Sequence, residues 1–162
     1  FYLGSQIQSS AALKKLTALP NFAYCVTLEC FKSREFFLKK SKSNFSVEQI
    51  REIMLESVKL GFRTNFTYIM GLENLERVSV GFREFLEYTN SFPVINIFQE
   101  HEYQLGLHNE EASSIDFYLK ARKIIEEIYL HTSMRPNYWE VCRSLWYTTF
   151  ANEPLNEIYL PD

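Results

Sequence analysis

Cysteine is scarce in this chain, with three in 162 residues: Cys25, Cys30 and Cys142. Their spacing fits no metal-ligand pattern, and an odd, sparse count suits a reducing cytosol better than a disulfide scaffold. His101 and His108 are seven apart in a predicted loop and give no ligand pair at metal spacing. The sequence also lacks a Gly-rich phosphate loop and a serine nucleophile elbow, so the familiar nucleotide and hydrolase motifs are excluded. No apolar run reaches the ~18 residues of a membrane span, and no signal-peptide pattern is present. Positive charge is not in excess: the net charge is -3, which gives no electrostatic case for nucleic acid. Neither a nucleic-acid nor a membrane partner is expected.

What is abundant is apolar and aromatic mass. Hydrophobic residues make up 46% of the chain and aromatics 16%, with 14 Phe and 10 Tyr. Large rings bury much area per residue, so one domain with a substantial core is expected. The basic run Lys39-Lys40-Ser41-Lys42 reads as a solvated turn before a helix.

The pattern alternates strands with amphipathic helices. Phe1 to Leu3 reads as the end of a buried strand opening onto Gly4-Ser5-Gln6, and Ala11 to Leu19 as a short helix stopped by Pro20. Ala23 to Leu28 is a strong strand ending at Glu29. Cys30 to Asn44 is polar and irregular, with a turn of helix expected over Ser33 to Leu38. Ser46, with Gln49 three residues on, forms a capping box for a helix carrying Val47, Ile50, Met54, Leu55 and Val58 on its apolar stripe and ending at Gly61. Arg63 to Glu73 has a β-branched and aromatic body and then a glycine, which reads as a buried strand, a tight turn and a helix start. Leu75 to Tyr88 is helical, Val94 to Phe98 a further strand, and Ile115 to Tyr129 a long helix with Phe117, Leu119, Ile124, Ile125 and Ile128 inward. Trp139 to Phe150 reads as an aromatic amphipathic helix.

The order β-α-β-α-β-α-β-α, with strands apolar on both faces, predicts parallel strands joined by right-handed crossovers. The expected fold class is α/β: a partial (β/α) barrel of about four parallel βα units over 1–130, with a C-terminal helical extension and tail over 131–162. A doubly wound sheet is the alternative. In such folds chemistry sits at the C-terminal strand ends, which here hold Gly4, Ser5 and Gln6; Glu29; Gly71 and Glu73; and Gln99, Glu100 and His101. Glu100 and Glu102 could serve as a base, but the reading preferred is that they solvate their loop.

Three stretches in order resemble the second half of a radical S-adenosylmethionine (SAM) enzyme core, in the group of biotin synthase, hydrogenase maturase and methylornithine synthase. They are Leu28-Glu29 followed by Arg34 and Lys39-Lys40; Tyr68-Ile69-Met70-Gly71-Leu72-Glu73; and Val94 to Gln99. The resemblance covers roughly Phe1 to Tyr129, and Trp139 to Phe150 looks like a family-specific extension. It implies that Glu29 accepts the SAM ammonium or a ribose hydroxyl, and that Arg34 forks onto its carboxylate. It implies that Met70 and Gly71 border the adenine, with Phe98 and Gln99 at its edge, and that Ser5 and Gln6 face a small-molecule substrate. The cofactors implied are SAM and, in the parent protein, a [4Fe-4S] cluster. The defining Cys-x₃-Cys-x₂-Cys motif is absent here. On that reading the chain is either the later part of a longer polypeptide, as the abrupt start at Phe1 suggests, lacking the N-terminal half of its barrel, or a degenerate relative of the family. A non-enzymatic α/β interaction module using the aromatic tail is the competing expectation. An aldolase-like barrel ranks last, because no strand ends in Lys.

Overall fold

Local signals place the helices where the spacing puts them. Our computed structural model describes residues 2–3, 7–100, 106–137, 145–146 and 149–155. Strand β1 (Tyr2–Leu3) leads to helix α1 (Ser10–Lys15), which is capped by the Ser9 hydroxyl accepting from the Ala12 N–H and runs into a 3₁₀ turn over Leu16–Ala18. Strand β2 (Ala23–Glu29) is followed by two short helices, α2 (Arg34–Phe37) and α3 (Lys40–Ser43), where one turn was expected. Helix α4 (Val47–Lys59) begins with the capping box: Gln49 N–H donates to the Ser46 hydroxyl, and Ser46 N–H donates to the Gln49 side chain. Strand β3 (Arg63–Met70), helix α5 (Leu75–Phe85), strand β4 (Val94–Ile97) and helix α6 (Ile115–Tyr129) complete the alternation.

All three pairings of the four-stranded sheet are parallel, and its order is β1-β2-β3-β4, with no reversal among these strands. Right-handed crossovers in an unreversed order stack every helix on one face. The contacts agree: α1 lies on α4, α4 touches the turn after α5, and α5 lies on α6. Strand alternation then divides the sheet. Tyr24, Val26 and Leu28 of β2, and Thr64, Phe66, Tyr68 and Met70 of β3, face the helices and are fully buried. The link is direct at Ser57 of α4, whose hydroxyl lies 2.7 Å from that of Thr64. On the other face stand Thr27, Glu29, Thr67, Ile69 and Asn96, all half-buried, with Cys25 and Asn65 buried beside them.

The core between sheet and helices is aromatic. Phe31, from the loop after β2, stacks on Tyr68 at 4.9 Å and meets Phe82 edge-on at 5.3 Å. It fits because α5 has a glycine beneath it: a Cβ on Gly81 would lie 2.2 Å from the Phe31 ring.

Three expectations need correction. Leu55, read onto the apolar stripe of α4, is exposed, and Ile53 is buried instead. Leu119 points outward and is 59% exposed, while Ala121 and Tyr129 are buried in its stead. The helix read over Trp139 to Phe150 does not reach its end. Thr149–Phe150 (β5) pairs antiparallel with Glu153–Pro154 (β6) through Ala151 and Asn152, both at positive φ. That is the tight turn whose twist suits a two-residue hairpin. The start of that reading, including Trp139, lies outside the described residues. Leu145 N–H donates to Ile95 O on the β4 edge, and buried Trp146 packs against Phe92 and Phe150. Its indole N–H donates to Glu126, which also accepts from Ala151 N–H.

Candidate ligand site at the strand ends

Glu29 ends β2 in a conformation that disfavours ordinary side chains. Its φ is 68°, and the register against β3 slips between Thr27 and Glu29. Left-handed backbone costs an L-residue on the order of 1–2 kcal/mol, and such strain clusters at functional sites. The slip turns the Glu29 carboxylate toward the sheet face away from the helices, where it accepts from the Thr67 hydroxyl at 3.3 Å. Burial raises its pKa, opposed by the positive charges of Lys42 and Arg34 and by the Thr67 bond. A half-buried carboxyl of this kind can hold a cationic or hydroxyl group of a ligand, or carry a proton.

Arg34 does something other than reach for a ligand. It is buried, and its guanidinium donates to Leu28 O (3.1 Å), Thr27 O (3.2 Å), Lys42 O (3.3 Å) and Phe45 O. These carbonyls belong to the end of β2 and to the α3 region, so Arg34 clamps the loop to the strand. A fork onto a carboxylate would need two of them released.

Gly71 has φ 113°, and the space beside its Cα is filled by the chain itself. A Cβ there would lie 3.0 Å from the Tyr118 hydroxyl and 3.3 Å from the Phe98 Cβ. Gly71 O accepts from Asn109 N–H at 2.7 Å, and Met70 O from Phe98 N–H at 2.8 Å. The segment after β4 thus folds over this turn. Met70 is fully buried on the helix side, Phe98 is half-buried and Gln99 is exposed. Ser5, Gln6 and His101 lie outside the described residues. Of the described residues singled out at the strand ends, Glu29 alone combines a strained backbone with a polar group on that face.

Glu73 is the residue that sequence reading placed at the rim without a role. Its carboxylate accepts from Phe31 N–H (2.8 Å), Lys32 N–H (2.9 Å) and the Tyr68 hydroxyl (2.9 Å). It staples the loop after β2 to the start of α5. Burial and the Glu73 carboxylate push the Tyr68 phenol well above its usual range. An acidic residue just before a helix looks like ordinary first-turn chemistry, so only the fold reveals this staple.

The donor set does not fit an iron–sulfur cluster. Among the described residues no group of three His, Cys, Asp or Glu could hold a metal ion. Cys25 and Cys30 are buried, and burial pushes the Cys30 thiol up to about 12, against the thiolate a metal needs. Cys142 lies outside the described residues. The fit to SAM is partial: Glu29 suits its ammonium, Arg34 is committed to carbonyls, and the Gly71 surface is covered by Tyr118 and Phe98. No helix among the described residues is long and apolar enough to cross a membrane. No protein-family model matches the sequence, and no curated protein matches it at a significant level.

Proposed function

We propose that this chain is part of a radical SAM enzyme and contributes four βα units of a partial barrel, with SAM held at the C-terminal strand ends. The observation that carries this reading is the placement of Glu29. An unreversed parallel sheet keeps its helices on one face, and the strained carboxylate stands on the other. That is where barrels assemble ligands from strand ends. Glu29 takes the ammonium of SAM, or a ribose hydroxyl. Thr67 orients the carboxylate, and Arg34 fixes the strand end from which it projects. Phe98 and Gln99 border the adenine side, next to Gly71, once the Tyr118 contact opens. The cluster ligands and the remaining strands belong to sequence upstream of Phe1, and the compartment is the cytosol. Glu29, Phe98 and Gln99 would hold SAM, which would supply radical chemistry on a small-molecule substrate only with a cluster that the described residues do not hold.

The test is calorimetric titration with SAM of the polypeptide expressed from its whole reading frame, beside Glu29→Gln. Saturable binding that weakens about tenfold in the variant is the expected result, since one charge-assisted hydrogen bond contributes on the order of 1.5–3 kcal/mol. Folded protein that gives no saturable heat would overturn the proposal.

A further inference from the structure

A cleft of about 590 Å³ lies between the segment that follows β2 and the start of α5. Small-molecule sites run from about 300 to 1,000 Å³, so its size is ordinary for one. It sits beyond the C-terminal ends of β2 and β3, where parallel α/β sheets take up ligands. Its walls are ordered by groups that are not free to bind. The Arg34 guanidinium bonds carbonyls on both sides of the segment, at Thr27 and Leu28 before and at Lys42 and Phe45 after. Glu73 lines the cleft, but its carboxylate already accepts from Phe31 N–H, Lys32 N–H and the Tyr68 hydroxyl. A scaffold fixed in this way loses little freedom when a ligand enters.

Two kinds of side chain line the cleft with their binding capacity unspent. The first kind is apolar. Phe36 is 70% exposed although it lies within α2, and its ring meets that of Phe37 edge-on at 5.1 Å. Val80 of α5, 41% exposed, and Leu72 also line the cleft. Covering such surface favours binding. The second kind is charged. Lys32 and Glu35 come from the segment after β2, and Glu76 and Arg77 from the first turn of α5, so each wall carries one charge of each sign. No ion pair joins any of these four to another described residue. With Glu73 committed, two carboxylates stand against two cations. A cleft so balanced selects neither an anion nor a cation. It complements a small ligand that carries one charge of each sign beside an apolar body.

We infer that this cleft binds a free apolar α-amino acid as its zwitterion, with the carboxylate on Arg77, the ammonium on Glu35 and the side chain against Phe36 and Val80. The planar guanidinium of Arg77 matches a carboxylate with two parallel hydrogen bonds. Arg77 and Glu35 belong to different walls, so the ligand bridges them. The inference does not depend on the SAM reading, because it uses none of Glu29, Phe98 and Gln99.

The experiment is calorimetric titration of the full chain with L-leucine. Three analogues each lack one recognised group: 4-methylpentanoate has no ammonium, 3-methylbutylamine no carboxylate, and glycine no apolar side chain. The expected result is saturable leucine binding, with each analogue at least about tenfold weaker. Leucine affinity should fall about tenfold in Phe36→Ser, in Glu35→Gln and in Arg77→Gln. Phe36 and Glu35 are exposed and Arg77 makes no ion pair, so thermal melts should match the parent; the analogue series needs no variant at all. Folded protein that gives no saturable heat with leucine overturns the inference. So does any analogue that binds as tightly as leucine, or a leucine affinity unchanged by Phe36→Ser. Loss of SAM binding in Glu29→Gln bears on the other site alone.

Discussion

Replacing Gly81 by alanine should destabilise the protein even though alanine is the better helix former. At a mid-helix position the exchange favours folding by about 1 kcal/mol on propensity alone. Here the added Cβ would lie 2.2, 2.4 and 2.4 Å from Cδ2, Cε2 and Cγ of Phe31. Carbon atoms in contact prefer about 3.5–4.0 Å, so the ring must move by more than an ångström. It has nowhere to go. Tyr68 stacks on it at 4.9 Å, and Phe82, Phe85 and Phe66 approach at 5.3, 5.5 and 6.2 Å. Overpacking in such a core costs about 1–3 kcal/mol, and this boxed ring belongs at the upper end. The net loss is then about 2 kcal/mol, or roughly 4–8 °C in Tm for a chain of this size. Urea unfolding of Gly81→Ala, Phe31→Leu and the double variant measures it. Leucine vacates the ring's volume, so the double variant should lose clearly less than the sum of the singles. A neutral or stabilising Gly81→Ala, or strict additivity with Phe31→Leu, would refute the reasoning.

Three further outcomes follow from the same structure. Glu73→Ala removes the acceptor for Phe31 N–H, Lys32 N–H and the Tyr68 hydroxyl at once. With each charged-acceptor bond contributing about 1.5–3 kcal/mol, a loss of at least about 3 kcal/mol should appear in urea unfolding. Glu29 has a raised pKa in the folded state, so its contribution to stability is complete below the unfolded value near 4.5 and is lost as pH rises through the folded value. Glu29→Gln should therefore melt higher than the parent at pH 7 and lose that advantage near pH 4, which paired thermal melts would check. Glu126 receives both the Trp146 indole and the Ala151 N–H, so Glu126→Ala should loosen the tail. A red shift of tryptophan emission well below the melting temperature is the expected sign; unchanged emission would show that the hairpin docks without it.

Much of the fold is legible because it is written locally. The Ser46 to Gln49 box, the apolar stripe through Ile50 and Met54, and the aromatic body of β3 each need only neighbouring residues to be read. The alternation of elements gives parallel strands, and the structure adds the order and the single helix layer. What is not legible depends on residues far apart in the chain. Gly81 is an unremarked helical glycine until Phe31, 50 residues earlier, is seen against it. Arg34 reads as a free cation next to a strand end, because nothing local says that carbonyls from Thr27 to Phe45 converge on it. Leu119 follows the helical period, yet α6 is rotated so that Phe117, Ala121 and Ile125 meet the core. The tail turn at Ala151-Asn152 has no glycine, so the usual hairpin signal is missing. At the site, Glu29 is visible as a strand-end acid, while its left-handed backbone and its bond to Thr67 emerge only from the sheet.

The central claim is that these βα units complete a radical SAM barrel begun elsewhere in the same polypeptide. The most direct measurement is the coding sequence upstream of Phe1. The account predicts an open frame encoding further βα pattern and three cysteines spaced Cys-x₃-Cys-x₂-Cys. A start codon immediately before Phe1 would contradict it.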